Sequence, residues 1–261
     1  MTFVPGVSSS ASEGLLFLVA GQSLCVVRRE GGAAVPRGHA AGCLYLGLLD
    51  GAPCFARLLD PGEPPPAGCE LLPLRQLFSA LPDADFAVAG RALGLTAWDR
   101  DHRHCGRCGA PTERSQTERV RACNACGFTS YPRLSPAIIA LVERDGRALL
   151  ARNARVSLPF FSTLAGFVEV GETLEECVAR EIGEEAGIGV ADIRYFGSQP
   201  WPFTGSLMIG FTARWSHGEI VAEPTEITEA GWFAPDALPP IPPRLSIARA
   251  LIDDFVRRHT R

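Results

Sequence analysis

The chain has 261 residues and a formal net charge of −4, with a pI near 5.8. This length provides either two moderate domains or one large domain with ample core. A general nucleic-acid-binding protein would carry a basic face, so the acidic balance restricts any RNA contact to a local one. No apolar stretch reaches the length of a membrane span, so we expect a soluble, cytoplasmic protein without a membrane partner.

Residues 1–98 are predicted to form a small α+β domain. Four apolar runs have the length of strands and pair into two hairpins, one across Gly21 and one across Gly51. These runs are 15–20, 24–28, 44–49 and 54–59. The segment 86–98 has apolar residues at helical spacing and predicts a helix that leads into the next module.

Nine cysteines divide into a paired group and a scattered group. The paired cysteines form two Cys-x-x-Cys motifs, each followed by a glycine whose tight turn aims backbone N–H groups at the sulfurs. They are Cys105, Cys108, Cys123 and Cys126. Four thiolates in two such hairpins predict one closed, structural Zn²⁺ site per chain within residues 99–131. A redox dithiol is the alternative, although one pair would suffice for it.

The five scattered cysteines lie in apolar surroundings. They are Cys25, Cys43, Cys54, Cys69 and Cys177. Single cysteines of this kind are typically buried, reduced thiols, and this fits a reducing compartment.

Residues 132–261 have a mixed α/β pattern. Four apolar runs predict strands, and the first two form a hairpin across Asp145-Gly146. The strands are 137–142, 147–151, 207–215 and 230–233. The segment 246–258 predicts a closing amphipathic helix, with Ala248 among the residues that face inward.

One helix is predicted between these strands, within the stretch GFVEVGETLEECVAREIGEEAGI at 166–188. Thr173 and Glu176 fit a capping box, and Gly187 fits a helix C-terminus. The spacing therefore predicts a helix that begins at Thr173 and ends at Gly187.

Three glutamates of this helix, Glu181, Glu184 and Glu185, are spaced i, i+3 and i+4, which places them on one face. Arg180 can pair with Glu184, but this relieves only part of the mutual repulsion. Hard carboxylate oxygens suit Mg²⁺ or Mn²⁺, particularly when substrate phosphates complete the coordination. A solvated acidic face is the alternative for the glutamates alone. The glycines and Arg180 in register favour a metal-dependent diphosphate hydrolase site.

The stretch from Gly166 through Glu172 to the REIGEEAGI segment resembles the Nudix hydrolase box at every defining position. The resemblance implies an α/β fold. It consists of a Nudix α/β/α sandwich at 132–261, preceded by a four-cysteine zinc ribbon at 99–131 and the small α+β domain at 1–98. It also implies two or three catalytic Mg²⁺ or Mn²⁺ ions, which would bridge a diphosphate and activate a water.

A second motif, SQPWPFTGS at 198–206, follows the box and resembles the SQPWPFPxS array of the NADH pyrophosphatase subfamily, also described as the NAD-capped RNA hydrolases. We expect this array to form a substrate-binding loop, whose prolines would hold Trp201 and Phe203 ready for a flat base. A proline-bounded loop that fills the core is the alternative for Trp201 alone. Thr204 replaces the family proline, and we expect altered affinity rather than altered chemistry. The implied reaction cleaves NAD(H) to NMN(H) and AMP, with removal of NAD caps from RNA 5′ ends as a second activity.

The resemblance also implies metal-site roles. Glu181 and Glu185 are the expected principal ligands, and the carbonyl of Ala165 is another. Glu226 is expected to reach in from a loop as a further ligand or as the base that orients water. Glu184 is the next candidate for either task, and Arg180 is expected to orient the glutamates.

Substrate contacts are implied in the same way. Phe167 and Tyr131 are expected to sandwich the nicotinamide. Arg75 and Glu118 are either substrate contacts, perhaps across a homodimer, or ordinary surface charges. The remaining expected contacts are Gln199, Pro200, Trp201, Pro202, Phe203, Ser206 and Ala248.

Two rival functions stay open at this point. One keeps the chemistry and changes the substrate to ADP-ribose or a dinucleoside polyphosphate. The other is a non-catalytic nucleotide sensor whose zinc ribbon contacts nucleic acid, although sensors of that kind can lose box glutamates and none is lost here.

Overall fold

We analysed a computed structural model, which describes residues 2–154 and 160–260. The chain divides into two compact units. The first comprises the residues up to Arg133 together with Pro202–Gly205, and the second comprises Leu134–Trp201 and the residues from Ser206 onward. No helix within the described residues combines the length and the apolar character needed to cross a membrane.

The first unit is built around a mostly antiparallel sheet that has eight strands among the described residues. They are β1 Phe3–Pro5, β2 Glu13–Ala20, β3 Ser23–Arg29, β4 Gly32–Ala34, β5 Arg37–His39, β6 Leu44–Leu49, β7 Ala52–Leu58 and β8 Glu70–Pro73. The main order is β1-β6-β7-β2-β3-β4, with β5 beside β2 and β8 beside β3. Both predicted hairpins are present, and a parallel pairing of β2 with β7 joins them.

A short 3₁₀ helix, Leu74–Leu77, and one long helix, α1 Asp83–Asp101, complete the N-terminal part. The predicted helix is therefore confirmed and extends at both ends. Its buried face, which includes Val88 and Ala92, packs with Phe17 and Leu24 of the sheet in one apolar core.

The cysteine-rich segment of the first unit contains a small antiparallel sheet of two-residue strands. They are β9 Glu113–Arg114, β10 Arg121–Ala122 and β11 Thr129–Ser130. Asp99 of α1 is 3% exposed and accepts hydrogen bonds from Arg114 at 2.6 and 2.5 Å and from Arg121 at 2.6 Å. These charge-assisted bonds anchor the cysteine-rich segment to the end of α1.

The second unit contains a mixed sheet with the main order β15-β16-β12-β13-β17, and β14 pairs with β12. The strands are β12 Ser135–Arg144, β13 Arg147–Asn153, β14 Leu164–Phe167, β15 Gly189–Trp201, β16 Ser206–His217 and β17 Ile227–Phe233. The helices are α2 Leu174–Ala186 and α3 Ile247–His259.

The two helices cover opposite faces of this sheet. Along β12, Ile138 and Ala140 belong to the core that contains α2, whereas Ile139 and Leu141 belong to the core that contains α3. Successive side chains of a strand point to opposite faces, so the alternation fixes the layers. The predicted α/β/α sandwich is confirmed.

The SQPWPF array lies in a different local structure from the one expected. It was predicted as a loop, but Ser198–Trp201 are the end of β15, paired with β16, and Pro202–Gly205 form the turn. Pro200 cannot donate to a sheet ladder, and it is tolerated here because β15 is the edge strand.

Candidate active site

The helix of the box is fixed at both ends. The Thr173 hydroxyl accepts from the Glu176 N–H at 3.2 Å, and the Glu176 carboxylate accepts from the Thr173 N–H at 2.8 Å. Gly187 ends α2 with φ of 72°, a left-handed conformation that glycine adopts without strain. The two capping residues predicted from the sequence, Thr173 and Gly187, are therefore the residues at which the helix begins and ends.

The three box glutamates lie in different environments, although they share one side of α2. Cys177 and Ile182 anchor the helix in the core with no exposed surface. This rotation leaves Glu181 only 9% exposed and Glu185 only 4% exposed. The Glu184 side chain is 63% exposed, so it stands at the edge of the cluster.

Gly166 on β14 provides the space for the Glu181 carboxylate. A Cβ atom at this position would lie 1.8 Å from the Glu181 carboxyl carbon. Non-bonded atoms do not approach so closely, so any side chain at this position would force the Glu181 carboxylate to move. The first glycine of the box is therefore explained by direct contact with a predicted metal ligand.

Burial, the Glu181 carboxylate and the Glu226 carboxylate raise the pKa of Glu185 to about 8. The backbone of Ala165 acts in the opposite direction, which places it beside the Glu185 side chain. Burial is also the main cause that raises the pKa of Glu181. The structure therefore brings together Glu181, Glu185, Glu226 and the Ala165 backbone.

Glu226 is held by a turn that precedes β17, as expected of a loop residue. The Glu223 carboxylate accepts from the Glu226 N–H at 3.1 Å and from the Thr225 N–H at 2.7 Å. The Glu223 N–H donates to the Glu185 carbonyl at 3.1 Å, so the turn is tied to α2. Glu223 is a positioning residue that the sequence analysis missed, because no periodic pattern connects a turn residue with a distant helix.

Arg180 connects the cluster to its surroundings. Its guanidinium bonds Glu172 at 2.7 and 3.0 Å, Glu181 at 2.8 Å and Glu184 at 3.2 Å, and it donates to the Phe167 carbonyl at 2.9 Å. Its expected pairing with Glu184 is present, but Glu172 is the closer, bidentate partner. Hydrogen bonds from Arg180 are the main reason that the pKa of Glu172 falls to about 2. Helical spacing does not predict this pair, because Glu172 lies before the helix and outside its periodicity.

The carboxylate cluster fits a divalent cation. Oε2 of Glu185 is buried and has no hydrogen-bond partner among the described residues. A buried carboxylate oxygen without a donor is costly unless another group, such as a metal ion, takes that place. The three carboxylates supply oxygen ligands of the kind that Mg²⁺ and Mn²⁺ prefer.

Gln199 has a structural task in addition to any contact with substrate. Its side-chain oxygen accepts from the Ile247 N–H at 2.8 Å, and its side-chain nitrogen donates to the Leu245 carbonyl at 2.9 Å. The amide therefore caps the first turn of α3 together with Ser246. One N–H and one lone pair of the amide remain for a ligand.

Two other expected contacts are buried. Ser206 is 2% exposed and Ala248 is 4% exposed, with the Ala248 methyl group in the core under α3. The predicted inward orientation of Ala248 is confirmed, so any contact between Ala248 and substrate would use its backbone.

The expected aromatic contacts are distributed over both units. Phe167, in the second unit, is 56% exposed, and Tyr131, in the first unit, is 55% exposed, so each ring is free to stack. The Tyr131 hydroxyl donates to Glu118 at 3.2 Å. The sandwich of nicotinamide between the two rings stays a prediction.

The turn 202–205 is packed within the first unit. Gln22 donates to the Phe203 carbonyl at 3.1 Å, and the Arg75 guanidinium lies 4.2 Å from the centroid of the Phe203 ring. Arg75 and Phe203, predicted separately, are thus in contact. Pro202 lies close to Gly90 of α1.

The four paired cysteines form a zinc-type site. Their sulfurs lie within 4.8 Å of one another, with 3.6 Å between Cys105 and Cys126 and 3.6 Å between Cys108 and Cys123. Tetrahedral Zn–S bonds give sulfur separations of about 3.8 Å.

Burial opposes ionisation of the Cys105 thiol, yet the N–H groups of Arg107 and Cys108 lower its pKa to about 6. Cys105 is therefore ready to act as a thiolate ligand. The Ala110 N–H also lowers the pKa of Cys108, but hydrogen bonds with the Cys126 and Cys123 sulfurs outweigh it and raise that pKa to about 12. A bound zinc ion would ionise this thiol as well.

Three family models match the chain. A NUDIX domain model matches 132–255, an NADH pyrophosphatase zinc ribbon model matches 100–131, and an NADH pyrophosphatase-like rudimentary NUDIX domain model matches 13–98. The chain belongs to the NADH pyrophosphatase family of Nudix hydrolases. The resemblance stated from the box, the cysteine pairs and the SQPWPF array is therefore confirmed.

Proteins with similar sequences support the same family assignment. The chain is 43% identical to an NAD-capped RNA hydrolase NudC of Deinococcus radiodurans, over 97% of this chain and 91% of that protein. It is 46% identical to an NAD-capped RNA hydrolase NudC of Pseudomonas aeruginosa, over 82% of this chain and 77% of that protein. The crystal structure of a NUDIX hydrolase from Nitrosomonas europaea has a similar fold, with a TM-score of 0.52, 22% identity and coverage of 60% of this chain and 92% of that one.

Proposed function

We propose that the protein hydrolyses the diphosphate bond of NAD(H), giving NMN(H) and AMP, and removes NAD caps from RNA 5′ ends by the same cleavage. The observation that carries the proposal is the cluster of Glu181, Glu185 and Glu226, in which one buried oxygen of Glu185 has no donor. The choice of a nicotinamide dinucleotide is supported by the SQPWPF array and by the names of the relatives.

The catalytic cofactor in this proposal is Mg²⁺ or Mn²⁺, with two or three ions per site. Glu181, Glu185, Glu226 and the carbonyl of Ala165 would hold them. When bound, such ions neutralise the charge of a diphosphate and lower the pKa of the attacking water. The cysteine site would hold a single structural Zn²⁺.

The side chains around the cluster have separate tasks. Glu226 or Glu184 accepts a proton from the attacking water, whose oxygen forms a bond to one phosphorus of the diphosphate. The bond between that phosphorus and the bridging oxygen breaks, and the leaving phosphate retains the bridging oxygen. Arg180 keeps Glu181 in place and, through the Phe167 carbonyl, positions the ring of Phe167. Phe167 and Tyr131 stack on the nicotinamide.

The array and the first unit complete the substrate site in this proposal. The substrate contacts would be Gln199, Pro200, Trp201, Pro202, Phe203, Ser206, Ala248, Arg75 and Glu118. We further propose three domains, 1–98, 99–131 and 132–261, and a homodimer in which the partner contributes to the site. The spans of the three family models support this division.

The test measures hydrolysis of a panel of substrates, with the products separated by chromatography. Purified protein receives NADH, NAD⁺, NAD-capped RNA, ADP-ribose or diadenosine tetraphosphate, with Mg²⁺ or with Mn²⁺. We expect NMNH and AMP from NADH, and loss of at least about 100-fold in turnover for Glu185→Gln, because removal of a key electrostatic group usually costs that much. Glu175→Gln is the matched control, since Glu175 is an exposed glutamate of the same helix.

Three outcomes would count against the proposal. Cleavage of ADP-ribose in strong preference to every NAD-containing substrate would move the assignment to the first rival. Binding of nucleotide without any hydrolysis would favour the sensor. A Glu185→Gln variant that keeps more than about a tenth of wild-type turnover would remove Glu185 from the catalytic centre.

A further inference from the structure

A cleft in the first unit is lined by residues of that unit alone, and none of the three carboxylates of the glutamate cluster is among them. Its volume is about 480 Å³, and its walls come from the segments 7–12, 39–45 and 114–120 together with Phe55 and Trp98. Ligand-binding pockets commonly have volumes of about 300–1,000 Å³. The cleft therefore has room for a molecule of nucleotide size.

Two side chains of the cleft wall, Trp98 and Arg119, have N–H groups without a protein acceptor in the part of the chain that the structure describes. Trp98 is 7% exposed, and its buried indole N–H has no partner among the described residues. Arg119 donates to the carbonyls of Tyr45, at 3.1 Å, and Gly6. A guanidinium has five N–H donors, so three of those on Arg119 remain available.

The charges around the cleft favour an anion. No carboxylate within the described part of the chain forms an ion pair with Arg119. Burial is the main cause that lowers the pKa of Arg119, and the positive charge of Arg91 lowers it further. Asp99 is shared by two guanidiniums, one of which belongs to Arg114 of the cleft wall. Glu118 is the one carboxylate in the wall formed by described residues, and it accepts a hydrogen bond from Tyr131.

Part of the wall is aromatic and aliphatic, and it begins beside Arg119, which donates to the Tyr45 carbonyl. The rings of Tyr45 and Phe55 lie 5.4 Å apart at an angle of 53°, and Leu44 and Val120 adjoin them in the lining. A wall of this kind suits a flat, weakly polar ring, because every base has a π face that stacks on aromatic side chains. Donors, positive charge and an aromatic wall together describe a ligand with a phosphate at one end and a base at the other.

We propose that this cleft binds a mononucleotide, with the phosphate at Arg119 and the base against Tyr45. The binding requires neither the catalytic metal nor hydrolysis, so it can be measured whether or not the proposed reaction takes place.

The first test is calorimetric titration of the full chain, with its zinc retained and without added Mg²⁺ or Mn²⁺. AMP, adenosine and inorganic phosphate serve as separate probes. We expect saturable binding of AMP, at least tenfold tighter than binding of either fragment. A dissociation constant of AMP above about 1 mM would overturn the proposal. Inorganic phosphate that binds as tightly as AMP would overturn it as well.

Variants locate the binding. Arg119→Gln is expected to weaken AMP binding at least tenfold, and Trp98→Phe, which removes the indole N–H and keeps an aromatic ring, at least threefold. Arg29→Gln is the control, because Arg29 is an exposed arginine of the same unit outside the cleft. If Arg119→Gln fails to fold, Arg119→Lys replaces it, since lysine keeps the charge and loses the planar donor fork.

Hydrogen exchange supplies a readout that needs no variant. AMP is expected to slow exchange in residues 7–12 and 39–45, two lining segments that contain none of the substrate contacts proposed for the hydrolase site. Protection confined to α2 and β14, with the two cleft segments unaffected, would assign the AMP to the glutamate cluster and overturn the proposal, as would variants that bind AMP like the wild type.

Discussion

Glu185 shows how one buried carboxyl makes folding stability depend on pH. Its ordinary pKa is 4.5, and burial with its carboxylate neighbours raises this to about 8 in the folded protein. Between these two values the folded state retains a proton that the unfolded state has lost, so folding stability decreases as pH rises from about 4.5 to 8. Bound divalent metal would oppose this loss, because it stabilises the ionised carboxylate.

We therefore expect Glu185→Gln to be more stable than the wild type at pH 8.5 and nearly equal to it at pH 5, in protein freed of Mg²⁺ and Mn²⁺. The uncharged amide removes the cost of ionising a buried group, and each kcal/mol corresponds to about 2–4 °C in Tm for a chain of this size. Thermal melts at the two pH values check this. Glu175→Gln should show no such pH dependence. An equal difference in Tm at both pH values would contradict the origin assigned to the pKa shift.

Gly166 provides a second prediction at the residue scale. Gly166→Ala places a methyl group within 1.8 Å of the Glu181 carboxyl carbon, so the carboxylate must move. We expect turnover to fall by about 100-fold or more, because catalytic carboxylates tolerate little displacement. The assay is kcat with NADH, accompanied by a thermal melt that establishes folding.

Gly183→Ala is the matched control for this substitution. Gly183 lies on α2, and a Cβ there would have its nearest neighbour, the Ile188 carbonyl, at 4.0 Å. Alanine is the better helix former, so this variant should keep its activity and become slightly more stable. Full activity in Gly166→Ala would show that the packing of β14 on Glu181 is not needed for catalysis.

Among the elements, α2 and the hairpins could be predicted from sequence because their signals are local. The capping box at Thr173 and the left-handed Gly187 lie within the helix they delimit, and β12 and β13 meet across Asp145-Gly146 as expected. The end of β15 could not be predicted, since Ser198, Gln199 and Pro200 have weak strand propensity. They adopt extended structure because β16 pairs with them, which is a contact between separate parts of the chain.

The candidate site shows the same division between local and distant information. The spacing of Glu181 and Glu185 is a property of one helix, so the sequence was sufficient to pair them. Other contacts form only when separate elements meet in the folded chain. Examples are the ion pair of Arg180 with Glu172 and the hydrogen bond by which Glu223 holds the turn that carries Glu226. Such partners have no fixed sequence spacing, and only the structure shows them.

Gln199 joins two of these elements and supports the third prediction. Its side-chain amide bonds the backbone at Leu245 and Ile247, and α3 carries Ala248. Gln199→Leu removes both bonds at similar volume and leaves a backbone N–H and a carbonyl without partners. We expect a loss of about 1–3 kcal/mol in unfolding free energy, because unsatisfied backbone groups cost that much.

Chemical denaturation measures this loss, and steady-state kinetics with NADH shows its consequence. KM should rise more than kcat falls, since the loosened start of α3 alters binding before chemistry. Ser246→Ala, which removes the other cap of α3, should give a smaller loss, about 1 kcal/mol. Unchanged stability of Gln199→Leu together with a raised KM would instead assign Gln199 to direct contact with substrate.

At the scale of the whole molecule, the two units hold their structure by different means. The second unit has extensive apolar cores on both faces of one sheet. The cysteine-rich segment of the first unit has strands of two residues each and relies on the Asp99 network and the four sulfurs. So small a sheet cannot bury enough apolar surface to be stable without a metal or another crosslink.

The last prediction follows from this difference. Purified protein should contain one zinc ion per chain, and Cys123→Ser should lose it, because a closed tetrahedral site needs all four sulfurs. With the zinc lost, hydrogen exchange should become fast in residues 105–127, since the binding energy of a structural zinc is also folding energy. Elemental analysis and exchange measured by mass spectrometry check both statements. Cys43→Ser is the control, because Cys43 lies outside the four-sulfur group and its loss should leave the zinc content unchanged. Zinc retained in full by Cys123→Ser, or fast exchange in the zinc-loaded wild type, would show that this segment is held together by something other than the metal.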